Sequence, residues 1–203
     1  AAQALHWTRT PTVGCDLSDA PNGRWFGDGE LNACENAVDR HVAAGRGEHT
    51  ALIHVSAMTH SERRISYAQL LDEVARLAGA LRRLGVKAGD RVIIYMPMVP
   101  EAVFAMLACA RLGAIHSVVF GGFSAASLKD RIEDAGAVCV ITADGGRRGG
   151  NIVELKLATD KALAGGCPSV RDVIVLRRTG ATVPMKSGRD HWWHELVEGM
   201  AAD

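Results

Sequence analysis

The chain has 203 residues, 48% of them apolar and 23% charged, enough for one sizeable core or two small ones and unlike a disordered chain. Lysine plus arginine (23) balances aspartate plus glutamate (23), so no global field attracts a polyanion or an anionic membrane. Four Trp, two Tyr and four Phe leave few stacking platforms for single strands, and a nucleic-acid partner is not expected.

Residues 1–30 are rich in Gly, Pro, Asp and Asn, and read as an arm lying over a body, with Trp7, Trp25 and Phe26 as isolated anchors. A second region, residues 31–203, holds the body. A helix starts near Leu31, because Ala33, Val38 and Val42 share one side, and Gly45-Arg46-Gly47 ends it. Residues 50–56 (TALIHVS) read as a strand and 57–63 as a polar turn. Ser66 with Gln69 is a capping box, and Ile65 can staple onto Leu70. Leu70, Leu71, Val74, Leu77, Ala78, Leu81 and Leu84 then repeat at helical spacing up to Gly85.

Beyond this helix, strands and helices alternate. Residues 91–96 (RVIIYM), 114–120 (AIHSVVF), 137–142 (AVCVIT) and 172–176 (DVIVL) read as strands. Helices are expected from Pro100 to Gly113, from a Ser124 cap to Gly136, and over residues 152–164. One more is expected to start at His191. Short apolar strands separated by helices predict an α/β fold, a mostly parallel sheet covered by helices on both faces. The longest apolar stretches, 92–100 and 102–110, are too short to cross a bilayer, so no membrane partner is expected. No charged-then-apolar leader opens the chain. The five cysteines lack C-x-x-C pairing and read as reduced thiols, which together with the missing leader points to the cytoplasm.

Open parallel sheets bind ligands beyond the carboxyl ends of their strands. Two loops there have unusual composition. Phe120-Gly121-Gly122-Phe123-Ser124 runs from a strand into a capped helix. Paired glycines admit close approach to the backbone and the helix start offers unpaired N–H groups, though glycines also simply permit a tight turn. Taken alone, the two phenylalanines read as core and staple. Gly145-Gly146-Arg147-Arg148-Gly149-Gly150 places two guanidinium groups on a mobile, glycine-framed backbone. Arginine forks match phosphate geometry, so the pair of loops suggests a phosphorylated ligand; a solvated surface loop is the alternative. His116 reads as a core histidine, Met96, Met98 and Met106 as core filler, and Cys109 as packing. Arg63-Arg64, Arg82-Arg83 and Arg177-Arg178 read as solvated pairs. His191 and His194 lack a third ligand, so no metal site is expected.

Residues 31–41 (LNACENAVDRH), 94–124 (IYMPMVPEAVFAMLACARLGAIHSVVFGGFS) and 140–150 (VITADGGRRGG) resemble the N-terminal part of the short-chain acyl-CoA synthetases, the AMP-forming acetyl- and propionyl-CoA synthetases. The resemblance covers residues 25–193. It implies the N-terminal subdomain of the adenylate-forming fold, with ATP and CoA as substrates, Mg2+ as the ion, and a short-chain carboxylate converted to acyl-AMP before transfer to CoA. It also implies that Phe120, Gly121, Gly122, Arg147, Arg148, Gly149, Gly150 and Asn151 lie at the nucleotide end of CoA. Asn151 departs from the pattern, since the family usually places a second arginine there; that phosphate contact is missing or supplied by Arg147. The family's ATP loop, acyl pocket and C-terminal lysine have no counterpart here. No catalytic residue is therefore assigned, and these residues are expected to need the remainder of the polypeptide as a partner for adenylation. Acetate, propionate and 3-hydroxypropionate all remain open, as does the ligase region of a multifunctional propionyl-CoA synthase.

Two rival classes are weighed beside it. A dinucleotide-binding oxidoreductase would use the glycine turn with Asp144 as its ribose-binding acid, but residues 121–126 (GGFSAA) lack the G-x-G-x-x-G spacing. A non-catalytic CoA- or nucleotide-binding module would need only the two loops.

Overall fold

Consecutive strand residues point to opposite faces, and here each face has its own set of helices to bury against. The computed structural model describes residues 2–200; residue 1 and residues 201–203, the outer ends of the two expected regions, lie outside the described residues. Cys15–Asp16 (β1) and Arg24–Trp25 (β2) pair antiparallel in the opening stretch. A helical segment follows, wound with π turns over Glu35–Asp39 and Val42–Arg46, and Gly45 breaks it with φ 77°. Thr50–Ser56 (β3) pairs antiparallel with Ser61–Ser66 (β4), which leads into Tyr67–Arg83 (α1). The chain then runs through Arg91–Met96 (β5), Pro100–Leu112 (α2), Ile115–Phe120 (β6), Ala125–Ala135 (α3) and Cys139–Ala143 (β7). A small hairpin, Gly146–Arg148 (β8) and Asn151–Val153 (β9), precedes Leu155–Ala164 (α4), Asp172–Leu176 (β10), Asp190–Trp192 (β11) and Trp193–Val197 (α5).

Five of these strands form one parallel sheet in the order β11-β10-β7-β5-β6. Val92, Ile94 and Met96 pack with α1, α2 and α5 on one face, while Ile93 and Tyr95 pack with α3 and α4 on the other. Each fully buried Leu, Ile or Val contributes about 1.5–3 kcal/mol relative to exposure. The Ser66 capping box forms as the sequence implies, Gln69 N–H donating to Ser66 Oγ at 3.2 Å and Ser66 N–H to Gln69 Oε1 at 2.9 Å. Cys109 is buried in α2, which pushes its thiol up to about 12.

Several expectations are corrected. Residues 57–63 are not all turn, because the charged run Ser61–Ser66 is held as a strand by β3. The helix expected from residue 152 starts at Leu155, since Asn151–Val153 pairs with β8. The final helix starts at Trp193, because Asp190–Trp192 adds a parallel edge strand to β10. Helices cover both faces as expected, most thinly at one edge. β6 is an edge strand on which Ile115, Val118 and Phe120 are more than half exposed, and His116 on it is exposed rather than core. Met98 is 91% exposed and Trp25 70% exposed, so the first is no core filler and the second does not anchor the arm. Trp7 and Phe26 do meet, edge to face at 5.7 Å.

A buried ion network fastens the other edge. The Lys156 ammonium, fully buried on α4, reaches Asp160 at 2.6 Å, Asp190 at 2.9 Å and the Pro184 carbonyl at 2.9 Å. Arg189 bridges Asp160 and Asp190. Breaking a buried pair from one side strands a charge, so Lys156→Ala is expected to cost about 3–5 kcal/mol. Urea unfolding checks it: the midpoint should fall markedly for Lys156→Ala and hardly at all for Lys129→Ala, which loses only the exposed pair with Glu133.

Candidate functional site

The chain leaves β5 towards β6 on one side and leaves β7 towards β10 on the other, which opens a crevice at their carboxyl ends. A cavity of about 570 Å³ lies there. Its floor is the turn after β5 (Met96, Pro97, Met98, Val99), and one wall is Val118, Val119, Phe120, Gly121 and Gly122. The opposite wall is Gly146, Arg147 and Arg148 with Val153, Leu155 and Arg178, and the β3 end with Met58 closes over it.

The two loops singled out in the sequence meet. The Arg148 guanidinium lies 5.2 Å from the Phe120 ring centroid, within cation–π range. It also packs against Gly122, where a side-chain Cβ would stand 2.5 Å from Arg148 Nη1 and 2.5 Å from the Phe120 ring. Glycine at 122 is therefore what allows the guanidinium to lie over the turn. The turn itself is pinned from below: the hydroxyl of Tyr95, buried in β5, donates to the Phe123 carbonyl at 2.8 Å. Phe120 is 54% exposed, so it faces the cavity instead of the core.

The arginine segment is a paired hairpin, where its composition suggests a loose loop. β8 and β9 form a two-residue hairpin whose corner is Gly149-Gly150, with φ of 54° and 82°. Positive φ at both corner residues is what a type I′ turn demands. Gly149, Gly150 and Asn151 are exposed at this corner, outside the cavity lining, whereas Phe120, Gly121, Gly122, Arg147 and Arg148 line it. The amide of Asn151 turns back to the Gly149 carbonyl at 3.5 Å.

Asp144 holds the base of the hairpin. Its carboxylate, 1% exposed, accepts the N–H groups of Gly145 (2.7 Å), Arg178 (2.8 Å), Thr179 (2.9 Å) and Gly180 (2.7 Å). Burial alone would raise its pKa, but the Thr179, Arg178, Gly145 and Gly180 N–H groups together hold it below the ordinary value. A carboxylate so engaged has no free side for a ribose, which removes the ground for a dinucleotide-binding reading. The same contacts place Arg178, half-buried, on the cavity wall, so the pair read as solvated divides. Arg177 instead lies over the Trp192 ring at 4.6 Å. Neither role of residues 144 and 178 was visible in sequence, because the partners are 34 to 36 residues apart. His191, expected beside His194 on a helix, sits on β11 against Asp172 at 2.8 Å. Among the described residues no group of three His, Cys, Asp or Glu is placed to hold a metal ion, and no helix is long and apolar enough to cross a membrane.

Comparison with known proteins bears on this geometry. Residues 39–199 match the family of AMP-binding enzymes, and residues 1–37 match the acetyl-coenzyme A synthetase N-terminus. An acetyl-coenzyme A synthetase of Streptomyces coelicolor is 53% identical over 202 residues, covering 100% of this chain and 31% of that protein. One from Burkholderia thailandensis is 51% identical over 198 residues, 97% of this chain and 30% of that protein. The solved acetoacetyl-CoA synthetase from Streptomyces lividans superposes with a TM-score of 0.85 at 31% identity, over 97% of this chain and 29% of that one. The chain thus spans about a third of the length of the curated relatives it matches. The adenylate-forming fold expected from the sequence is the one it has.

The lowered carboxyl of Asp144 carries a pH signature. A group held below its unfolded value of about 3.9 stabilises the fold fully above that pH and loses the contribution as pH falls through the folded value. Asp144→Asn keeps the shape but not the charge. It is expected to lower the unfolding midpoint at pH 7 and to lose stability less steeply than wild type on acidification below about pH 4. Equal acid slopes in a pH series of thermal melts would contradict the clamp.

Proposed function

Because this chain belongs to the AMP-binding enzyme family, we propose that it is the N-terminal part of an AMP-forming acid–thiol ligase acting on a short-chain carboxylate. In that reaction the carboxylate attacks the α-phosphorus of ATP, giving acyl-AMP and pyrophosphate. The CoA thiolate then attacks the acyl carbonyl and AMP leaves. The part proposed for these residues is to bind the phosphate-bearing nucleotide end of CoA. Phe120, Gly121, Gly122, Arg147 and Arg148 would hold it in the cavity; Gly149, Gly150 and Asn151 would serve by shaping the hairpin corner.

The observation that carries this reading is the Arg148 guanidinium lying over the Gly122 backbone and the Phe120 ring at the mouth of an open cavity. The cavity lining that holds Arg147 and Arg148 includes no carboxylate, which leaves their charges open to an anion in this proposal. The described residues offer no acidic cluster fit for Mg2+, so in this proposal ion, ATP and acyl group are held by the remainder of the polypeptide, and these residues alone do not adenylate. That remainder would also cover the open β6 edge. Residues 1–30 are proposed as an arm and 31–203 as part of the larger domain, in the cytoplasm. The acid itself stays at the level of a short-chain carboxylate.

Arg148→Ala is expected to weaken CoA binding by at least about tenfold, the cost of a charge-assisted hydrogen bond, while changing 3′-dephospho-CoA binding much less. Calorimetric titration measures both; equal CoA affinity in wild type and variant removes Arg148 from the site.

A further inference from the structure

Resting on the coenzyme A reading above, we infer that Arg178 is a further phosphate-binding residue of this cavity, supplying the cation that Asn151 does not. Three observations lead there. Arg178 lines the cavity opposite the glycine turn, together with Arg147 and Arg148. Its backbone is fixed by its own N–H donating to the buried Asp144 carboxylate at 2.8 Å, the same carboxylate that anchors the hairpin of the other two arginines. One acidic group thereby brings guanidinium groups from two distant segments to one place.

The second observation is charge balance. Arg111 and Arg189, half-buried like Arg178, each bond a carboxylate, at 2.8 and 2.5 Å. Among the described residues Arg147, Arg148 and Arg178 all line one cavity whose lining holds no carboxylate. An arrangement of this kind stabilises a polyanion, and guanidinium forks suit phosphate oxygens in particular. The third is the position of Asn151. It stands exposed at the hairpin corner and does not line the cavity that Arg178 lines.

Calorimetric titration of CoA into this chain, repeated across a salt series, tests the assignment with Arg178→Gln and Arg178→Lys. Gln removes the charge but leaves the backbone N–H on Asp144. The expected result is about a tenfold weaker CoA affinity for Arg178→Gln at low salt and a shallower salt dependence, because one ionic contact is gone. Arg178→Lys should keep most of the salt dependence and recover part of the affinity. CoA affinity unchanged in Arg178→Gln overturns the inference and leaves the CoA reading intact. A weaker affinity with unchanged salt dependence also overturns it, by showing a structural role. Wild type that does not bind CoA saturably brings down the CoA reading and this inference with it.

Discussion

A guanidinium resting on a bare stretch of backbone is the contact from which the rest of the site follows. Arg148 can lie over residue 122 only because no Cβ is there, and its charge is stabilised from the side by the Phe120 ring. The contact joins a turn after β6 to a hairpin after β7, two segments that the strand order would otherwise leave on either side of β5. It converts two loops of separate origin into the walls of one cavity. The glycine turn stands on one wall and Arg147 and Arg148 on the other.

Two buried side chains make the walls stiff enough to matter. Tyr95 holds the glycine turn through a single hydrogen bond from β5, and Asp144 gathers N–H groups from the loop after β7 and the loop after β10. Both are buried, Tyr95 within β5 and Asp144 just past β7, so these contacts come from the interior rather than from solvent-exposed chain. The Lys156 network extends the same logic to the far edge, tying β11 to α4 through the fully buried Lys156 and Asp190 together with the partly exposed Asp160 and Arg189. Such charges are costly to bury singly, and the fold uses them in closed sets.

How much of this the sequence discloses depends on whether the signal is local. The helices α1, α2 and α3 were legible to within a residue or two at either end, because capping residues, a first-turn proline and terminal glycines carry the information within one turn. The strands β5 and β10 were equally clear, being apolar runs with no helical period. What escaped was structure stabilised from a distance. β4 is charged and becomes a strand only through pairing with β3; β11 is three residues long and exists because β10 offers an edge. The Gly149-Gly150 corner had the composition of a hairpin turn, yet adjacent arginines and glycines read more simply as a loose loop. For the site, the glycine turn and Arg148 were recognisable by chemistry and by resemblance, whereas Arg178 looked like an ordinary solvated pair until Asp144 was seen to hold it.

The β6 edge carries three half-exposed apolar side chains, Ile115, Val118 and Phe120, and the chain spans about a third of the length of the curated relatives it matches. The cavity lies beside that edge, with Val118 and Phe120 on its wall. The central claim is spatial, and amide chemical shifts report it most directly. On titration with CoA, the account predicts saturable shifts clustered at residues 120–123, 145–148 and 178, with helix α1 unaffected. Saturable shifts confined to surfaces away from both loops would contradict it.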